Sequence, residues 1–257
     1  MGLRPLTERQ WIEVDHNREA ELNQKRELLR TVRSTVVATL PGSQGAQEEL
    51  EALVTSNLKA FHPEVTWTPI DDSDPIVRGS SLIQEDCCIL ENLENSWILT
   101  AACVCFPSRW TLTEKIGRDL LGIHQPVPGY ADALNQPVNS FFDRLQPTTP
   151  KWRLNWTILD TEELHLPTES SHRRQELLGN LGDLTFRVER QTLRKLEKTG
   201  AVVFTIRNFT TPLSTLCADE HLRDSLLTTL QSVSPEIAFY KGWISLLQPL
   251  TEWLSRT

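Results

Sequence analysis

Two pairs of apolar runs, one on either side of a proline-broken helical stretch, most constrain the fold of this chain. The first pair lies in SLIQEDCCILENLENSWILTAACVCFPS, where the polar segment 92–95 predicts a β-hairpin turn. The second pair, 184–196 and 201–208, is joined by EKTG, whose glycine suits the positive φ of a tight turn. A fifth strand is predicted at 151–159, so the pattern predicts a five-stranded antiparallel sheet.

Helices are predicted before, between and after these strands. Residues 17–31 are typical of a polar surface helix, and residues 45–61 of an amphipathic helix. Residues 63–79, rich in Pro and Asp, indicate a loop. Helical spacing also covers 213–231, after Pro212, and 235–254, entered through Ser234-Pro235.

The helical stretch between the two hairpins is interrupted by proline. Residues 111–145 have helix-like spacing, and Pro126, Pro128 and Gly129 break the run into two pieces. Pro137 is expected to divide or kink the second piece. This stretch is the helical insertion of the predicted sheet.

The order of elements predicts the fold class. Two strands, a helical insertion and three strands are also the element order of a PAS domain, so we expect an α+β, PAS-like five-stranded antiparallel sheet with flanking N- and C-terminal helices. We expect one domain over 1–257, with an N-terminal helical extension at 1–80, a sheet core at 81–208 and C-terminal helices at 209–257. The outer helices allow a homo-oligomer, but no pattern decides this.

Composition and charge exclude some partners. The net charge of −8 argues against bulk electrostatic binding to nucleic acid or to an anionic membrane. The start, MGLRPLTERQW, lacks the apolar core of a signal peptide, and no run approaches membrane-spanning length, so we expect a cytoplasmic protein. The cysteines do not form a C-x-x-C motif, and we expect small, buried, free thiols at Cys87, Cys88, Cys103, Cys105 and Cys217.

The candidate site lies in FPSRWTLTEKIGRDLLGIHQPVPGY, residues 106–130. It puts His124 between a helical run and a proline-rich turn, near Arg109, Lys115 and Tyr130. A neutral imidazole with cationic and aromatic neighbours is what a haem needs: an axial ligand, partners for its propionates and a flat packing surface. The alternative is a histidine that closes the turn by hydrogen bonding, and Cys105 is a second, weaker ligand candidate.

Seven segments of the chain form a distinctive series: LIQEDCCIL (82–90), CFPSRW (105–110), EKIGRDLLGIHQPVPGY (114–130), FFDRL (141–145), WRLNW (152–156), RVERQTLRKL (187–196) and FTIR (204–207). In order and in spacing they resemble the haem-dependent oxidative N-demethylase alpha subunit family. The resemblance covers roughly residues 1–245.

The resemblance implies a PAS-like fold that encloses a non-covalent haem b, with iron held by the protein. It implies a monooxygenase that removes a methyl group from a small secondary amine with O2 and two electrons, releasing formaldehyde and the primary amine. The electrons would come from NADPH through a separate flavin and iron–sulfur reductase. The sequence has neither G-x-G-x-x-G nor a cysteine set for an iron–sulfur cluster, so the reductase must be another protein.

Individual residues receive expected roles. His124 is the candidate iron ligand, and the other five histidines, His16, His62, His165, His172 and His221, are expected to be solvated. The cofactor-binding candidates are His124, Arg109, Lys115, Trp156, Arg190 and Arg207. The catalytic candidates are Tyr130, Glu189 and Arg187.

Each role has a structural alternative. The cations can be surface charges or cross-strand ion pairs, and Trp156 can be a core residue. Tyr130 can cap a helix instead of binding substrate or oxygen. Glu189 can hold Arg187 instead of an ammonium group. In RVERQ, Arg187 and Glu189 share one strand face and Arg190 lies on the other, so only one face can line a cavity.

Two other functions stay open at this level. The same fold and ligand would suit a haem-binding sensor, although nothing in the chain resembles a kinase, a cyclase or a DNA-reading module. A haem-free interaction protein of PAS-like shape is the third hypothesis, after the enzyme and the sensor. Binding of haem by the protein would distinguish the enzyme and the sensor from this third hypothesis. Release of formaldehyde would distinguish the enzyme from the sensor.

Overall fold

An antiparallel sheet organises the computed structural model, which describes residues 2–167 and 180–256. Its strands are β1 (Arg4–Pro5), β2 (Val37–Thr39), β3 (Asp86–Leu93), β4 (Ser96–Cys103), β5 (Lys151–Leu159), β6 (Thr185–Lys195) and β7 (Val202–Pro212). In this part of the chain the seven strands are hydrogen-bonded in the order β1-β5-β6-β7-β3-β4-β2. The five predicted strands form the centre of the sheet, and the α+β class is confirmed.

The two short edge strands were not predicted. β1 pairs with β5 through two residues, and β2 pairs with β4 through three. Strands this short carry too few residues for an alternating pattern, so they are defined by the edges that they extend. The predicted five-stranded sheet is therefore corrected to seven strands.

Helices cover both faces and one end of the sheet. They are α1 (Arg18–Thr31), α2 (Arg33–Val36), α3 (Gln44–Phe61), α4 (Pro75–Ser80), α5 (Leu120–Ile123), α6 (Asn135–Arg144), α7 (Leu213–Leu216), α8 (Glu220–Gln231), α9 (Pro235–Tyr240) and α10 (Leu247–Arg256). The predicted helices at 17–31 and 45–61 are confirmed as α1 and α3. Each of the two predicted C-terminal helices is divided, because Asp219 caps a new helix and Gly242 takes a positive φ of 66°.

Both predicted hairpin turns are confirmed. Glu94 and Asn95 have φ values of 50° and 64°, the left-handed pair that a two-residue hairpin requires. Gly200 closes the second hairpin with a φ of 71°. These turns set the register of β3 with β4 and of β6 with β7.

The insertion covers one face of the sheet. Arg153 lies opposite Gln191 and Asn155 opposite Glu189, so these four side chains share one face. On the same face, Leu193 packs in a buried cluster with residues of α5 and α6. We call this side the insertion face.

The N-terminal helices cover the opposite, N-terminal face, where Ile89 and Val203 pack with Val54 and Leu58 of α3. The prediction of a polar surface for α1 is wrong for part of the helix. Lys25 is only 1% exposed. Its Nζ donates hydrogen bonds to the carbonyl oxygens of Ser80, Ile83 and Glu85. A buried ammonium group needs such acceptors, which the local sequence does not reveal.

The C-terminal helices cover the far end of β5 and β6. Ile158 and Leu184 pack there in a buried cluster with Leu226, Trp243 and Leu250. Among the described residues, no helix has the length and apolar character needed to cross a bilayer.

Candidate functional site

His124 directly follows α5 at the start of the insertion's proline-rich turn. The side chain of Asp119 caps α5 by accepting a hydrogen bond from the Gly122 amide. His124 Nδ1 lies 2.8 Å from the carbonyl oxygen of Leu120. Because a carbonyl only accepts, a neutral His124 carries its proton on Nδ1 and keeps a lone pair on Nε2. The backbone therefore fixes the tautomer that binds a metal through Nε2.

Tyr130 supports the imidazole. Gly129 takes a φ of 70°, and the chain then enters a π-helical turn at Tyr130–Leu134. The Tyr130 ring stacks on the His124 ring with centroids 4.3 Å apart and planes 10° apart. Its hydroxyl is buried and has no hydrogen-bond partner within the described residues. Burial raises the pKa of Tyr130 to about 12, so the phenol stays protonated near neutral pH.

Two cations lie close to His124. Lys115 Nζ donates a hydrogen bond of 2.5 Å to the carbonyl oxygen of Ile123. Burial lowers the pKa of His124, the hydrogen bond to Leu120 opposes this, and the charges of Arg153 and Lys115 lower it further. The imidazole is therefore held in its neutral, metal-binding form.

A polar chain on the insertion face connects Arg153 to a carboxylate. Arg153 Nε donates to Gln191 Oε1 at 2.8 Å, and Gln191 Nε2 donates to Glu189 Oε2 at 2.9 Å. Asn155 Nδ2 donates to the same carboxylate oxygen at 3.1 Å. Glu189 is thereby fixed on the same face as the cation that acts on His124 and Tyr130.

The donor set fits a haem held through a single imidazole. It offers a neutral histidine with a fixed tautomer, an aromatic ring against it, cations beside it and a buried phenol to which the described part of the chain gives no hydrogen-bond partner. These features come from the insertion and from the β5–β6 pair, so the fold brings together segments that are distant in sequence. His124, Tyr130, Lys115 and Glu189 are the predicted site residues that it places in this region.

Arg153 and Gln191 belong to this region but were not among the predicted site residues. The alternation in WRLNW separates Arg153 from both tryptophans, which was the available signal. Whether Arg153 belongs to the site depends on its pairing with Gln191 and on the insertion that covers this face. Neither can be predicted from the residues next to Arg153 in sequence.

Two predicted arginines are tied to nearby protein groups. Arg109 Nη2 pairs with Asp160 Oδ1 at 2.6 Å. Arg187 is fully buried and donates to Asn208 Oδ1 and to the carbonyl oxygens of Phe106 and Leu164. Arg187 thus shares the insertion face with Glu189, but its hydrogen bonds hold the segment after β4 against the sheet. The alternative of a Glu189–Arg187 hydrogen bond is not what the structure shows.

The other cofactor-binding candidates lie on the N-terminal face. Arg190 Nε pairs with Glu13 at 2.9 Å, and Arg207 pairs with Asp15 at 2.6 Å and with Glu21 at 2.8 Å. Trp156 stacks between Phe186 and Trp243, at centroid distances of 5.1 and 5.3 Å. The structure does not bring these three residues together with His124.

Two of the five other histidines are less exposed to solvent than predicted. His16 and His221 are exposed as predicted, and His172 lies outside the described residues. His62 and His165 are half-buried, and His165 Nδ1 lies 2.7 Å from the carbonyl oxygen of Cys105, so the prediction of solvation is wrong for these two.

The cysteines are free and buried, as predicted. Cys105 is a poor alternative ligand, because a hydrogen bond with Cys103 together with burial holds the pKa of its thiol well above the usual range.

One cavity adjoins the same strands on the opposite side of the sheet. It has a volume of about 360 Å³ and is lined by Gln10, Glu13, Trp152, Leu154 and Arg190. This lining has no histidine or cysteine, so it offers no usual haem ligand.

Comparison with known protein families adds an independent finding. A family model described as haem-dependent oxidative N-demethylase, alpha subunit-like, matches residues 2–250 of the chain. The match covers every strand of the sheet and the whole insertion. It confirms the resemblance carried by the seven sequence segments.

Proposed function

The chain belongs to the family of haem-dependent oxidative N-demethylase alpha subunit-like proteins, and we propose that it is itself a haem-dependent monooxygenase that demethylates a small secondary amine. The haem is proposed to be a non-covalently bound haem b. The proposal includes O2 as the oxidant and a separate NADPH-dependent flavin and iron–sulfur reductase as the electron source. A PAS-like architecture is part of the proposal and is supported by the element order of two strands, insertion and three strands.

The state of His124 is the observation that carries the proposal. Its Nδ1 is bound to the Leu120 carbonyl, its ring is held against Tyr130, and burial with two nearby cations keeps it neutral. A histidine that only closed a turn would need the Nδ1 hydrogen bond but not the stacked ring and the cations. Nε2 of His124 is thus the atom that we expect to hold the iron.

When bound, a haem would supply the oxidation of an N-methyl group with O2, two electrons and two protons, giving formaldehyde, the primary amine and water. The chain's own residues bind and orient the reactants. Glu189, held by Asn155 and Gln191, can accept a hydrogen bond from the ammonium form of the substrate. Tyr130, with a pKa of about 12, can donate a hydrogen bond but is a poor base near neutral pH.

A haem titration of the purified protein tests the proposal. We expect a sharp Soret band in the wild type that shifts or vanishes in His124→Ala. His165→Ala is the matched control, since this half-buried histidine also bonds a backbone carbonyl through Nδ1, and its spectrum should equal that of the wild type.

Activity is tested next by adding a secondary amine and a flavin and iron–sulfur reductase. Formaldehyde release that depends on haem and on His124 supports the enzyme. A wild type that develops no sharp Soret band with stoichiometric haem contradicts the proposal. Haem uptake without formaldehyde release from any small amine would favour a sensor.

A further inference from the structure

Arg153 is unusual among the arginines of the three long strands β5, β6 and β7. Arg190, Arg194 and Arg207 each pair with a carboxylate, and Arg187 is surrounded by oxygen acceptors. Arg153 is half-buried and has one hydrogen bond, from Nε to Gln191. Within the described residues, its two terminal nitrogens have no acceptor and no carboxylate lies within ion-pair distance.

A guanidinium in this state favours an anion. Burial lowers the pKa of Arg153, which means that the protein has removed part of its hydration without supplying a counter-charge in contact. The carboxylate of Glu189 acts on the charge of Arg153, but Gln191 stands between the two side chains and bonds to both. The two terminal nitrogens of Arg153 thus keep the planar fork that binds a carboxylate in bidentate fashion.

The position of Arg153 connects this fork to the His124 site. Its charge acts on both His124 and Tyr130, the stacked pair of the insertion. The buried Tyr130 hydroxyl is a second unpartnered donor in the same region. A ligand at His124 would therefore meet two donors, and no carboxylate of residues 2–167 or 180–256 is in contact with them.

We propose that Arg153 binds the carboxylate group of a ligand held at the His124 site. The carboxylate has two sources: a propionate of the haem, or the acid group of an N-methylated amino acid that serves as the amine substrate. In the second case Glu189 would receive the ammonium group, since it lies on the same face two positions from Gln191, the strand partner of Arg153. The inference rests on the proposed function, because it assumes a haem at His124.

The first experiment measures haem affinity by equilibrium titration of the apoprotein. If the partner is a propionate, Arg153→Gln weakens haem binding roughly 10- to 100-fold, the size expected for a lost charge-assisted hydrogen bond. Arg153→Lys keeps the charge without the fork and gives a smaller loss, and it serves as the second variant if Arg153→Gln does not fold. The exposed Arg144, replaced by Gln, is the matched control and leaves the affinity unchanged. Iron protoporphyrin dimethyl ester should bind wild type and Arg153→Gln equally.

The second experiment uses the haem-loaded proteins and follows the Soret band during titration with N-methylglycine or with dimethylamine. If the partner is a substrate carboxylate, the response to N-methylglycine is lost in Arg153→Gln and the response to dimethylamine is kept.

The inference is overturned if wild type and Arg153→Gln have equal haem affinities and equal Soret responses to N-methylglycine. A Soret band that depends on His124 would then still support the proposed function. A wild type that takes up no haem overturns both.

Discussion

At the scale of single residues, the site depends on the protonation state of His124. Burial and the charges of Arg153 and Lys115 lower its pKa from the ordinary value of 6.5. The neutral form, which is the form proposed to bind the iron, therefore persists below pH 6.5. Because the folded-state pKa is below that of the unfolded chain, the associated stability is present above about pH 6.5 and is lost as the pH falls through the folded-state pKa.

Replacing Arg153 with Gln should raise the pKa of His124, because a positive charge near the ring is removed. The measurement is an NMR titration of the His124 ring in the haem-free protein. Arg144→Gln, which removes an exposed charge, should titrate like the wild type. An unchanged His124 midpoint in Arg153→Gln would show that Arg153 does not act on the ring.

The same residues show what a sequence can and cannot predict about a site. His124, Lys115 and Tyr130 lie within one short segment, so local pattern is enough to group them. Arg153 and Gln191 join them only through strand pairing and the packing of the insertion. Arg190 and Arg207 show the reverse case, since strand position alone did not reveal that the N-terminal segment supplies their carboxylates.

At the scale of elements, the turn that leads into Tyr130 fixes the orientation of the His124–Tyr130 pair. Gly129 has a φ of 70°, and a Cβ added there would meet no atom within 4 Å. The cost of Gly129→Ala is thus conformational and about 1 kcal/mol, measurable by urea unfolding. We also expect weaker haem binding, because Tyr130 follows directly and its ring supports His124.

Gly200→Ala is the matched control for this turn. Gly200 also has a positive φ, 71°, with no atom within 4 Å of an added Cβ, but it lies in the β6–β7 hairpin. It should lose similar stability and keep the haem affinity of the wild type. Equal haem affinities in the two variants would contradict the role of the turn.

Elements were predicted best where periodicity and turn chemistry agree. The hairpins at 92–95 and 197–200 and the helix at 45–61 meet this condition. Where tertiary pairing defines an element, as for β1 and β2, the sequence has too few residues to show it. Pro137 was expected to divide or kink the second insertion helix, but it lies in the first turn of α6, which runs unbroken from Asn135 to Arg144; the division falls before it, where the π-helical turn ends.

At the scale of the whole molecule, the N-terminal segment and the sheet are joined by charges. Arg207 of β7 is 1% exposed and contacts Asp15 and Glu21, and Lys25 lies 3.7 Å from Asp86. The apolar part of the same interface includes Trp11. The first 80 residues therefore complete the core on the N-terminal face.

Removing the charge of Arg207 should destabilise the molecule without changing the proposed haem site around His124. Arg207→Met leaves two carboxylates together without their cation, which costs about 3–5 kcal/mol in urea unfolding at pH 7. Arg26→Met, at an exposed position of α1, should cost little.

The loss in Arg207→Met should shrink as the pH falls toward 4 and below. Burial opposes the ionisation of Asp15, but its hydrogen bond with Gln84 and the charge of Arg207 lower its pKa below 3.8 in the folded wild type. The contribution of Asp15 is therefore present above that value and is lost in more acidic solution. In Arg207→Met the carboxylates protonate more easily, which relieves their repulsion. A loss independent of pH would contradict the ion pair. Because Arg207 and His124 lie on opposite faces, folded Arg207→Met should still bind haem as the wild type does, which separates stability from the site.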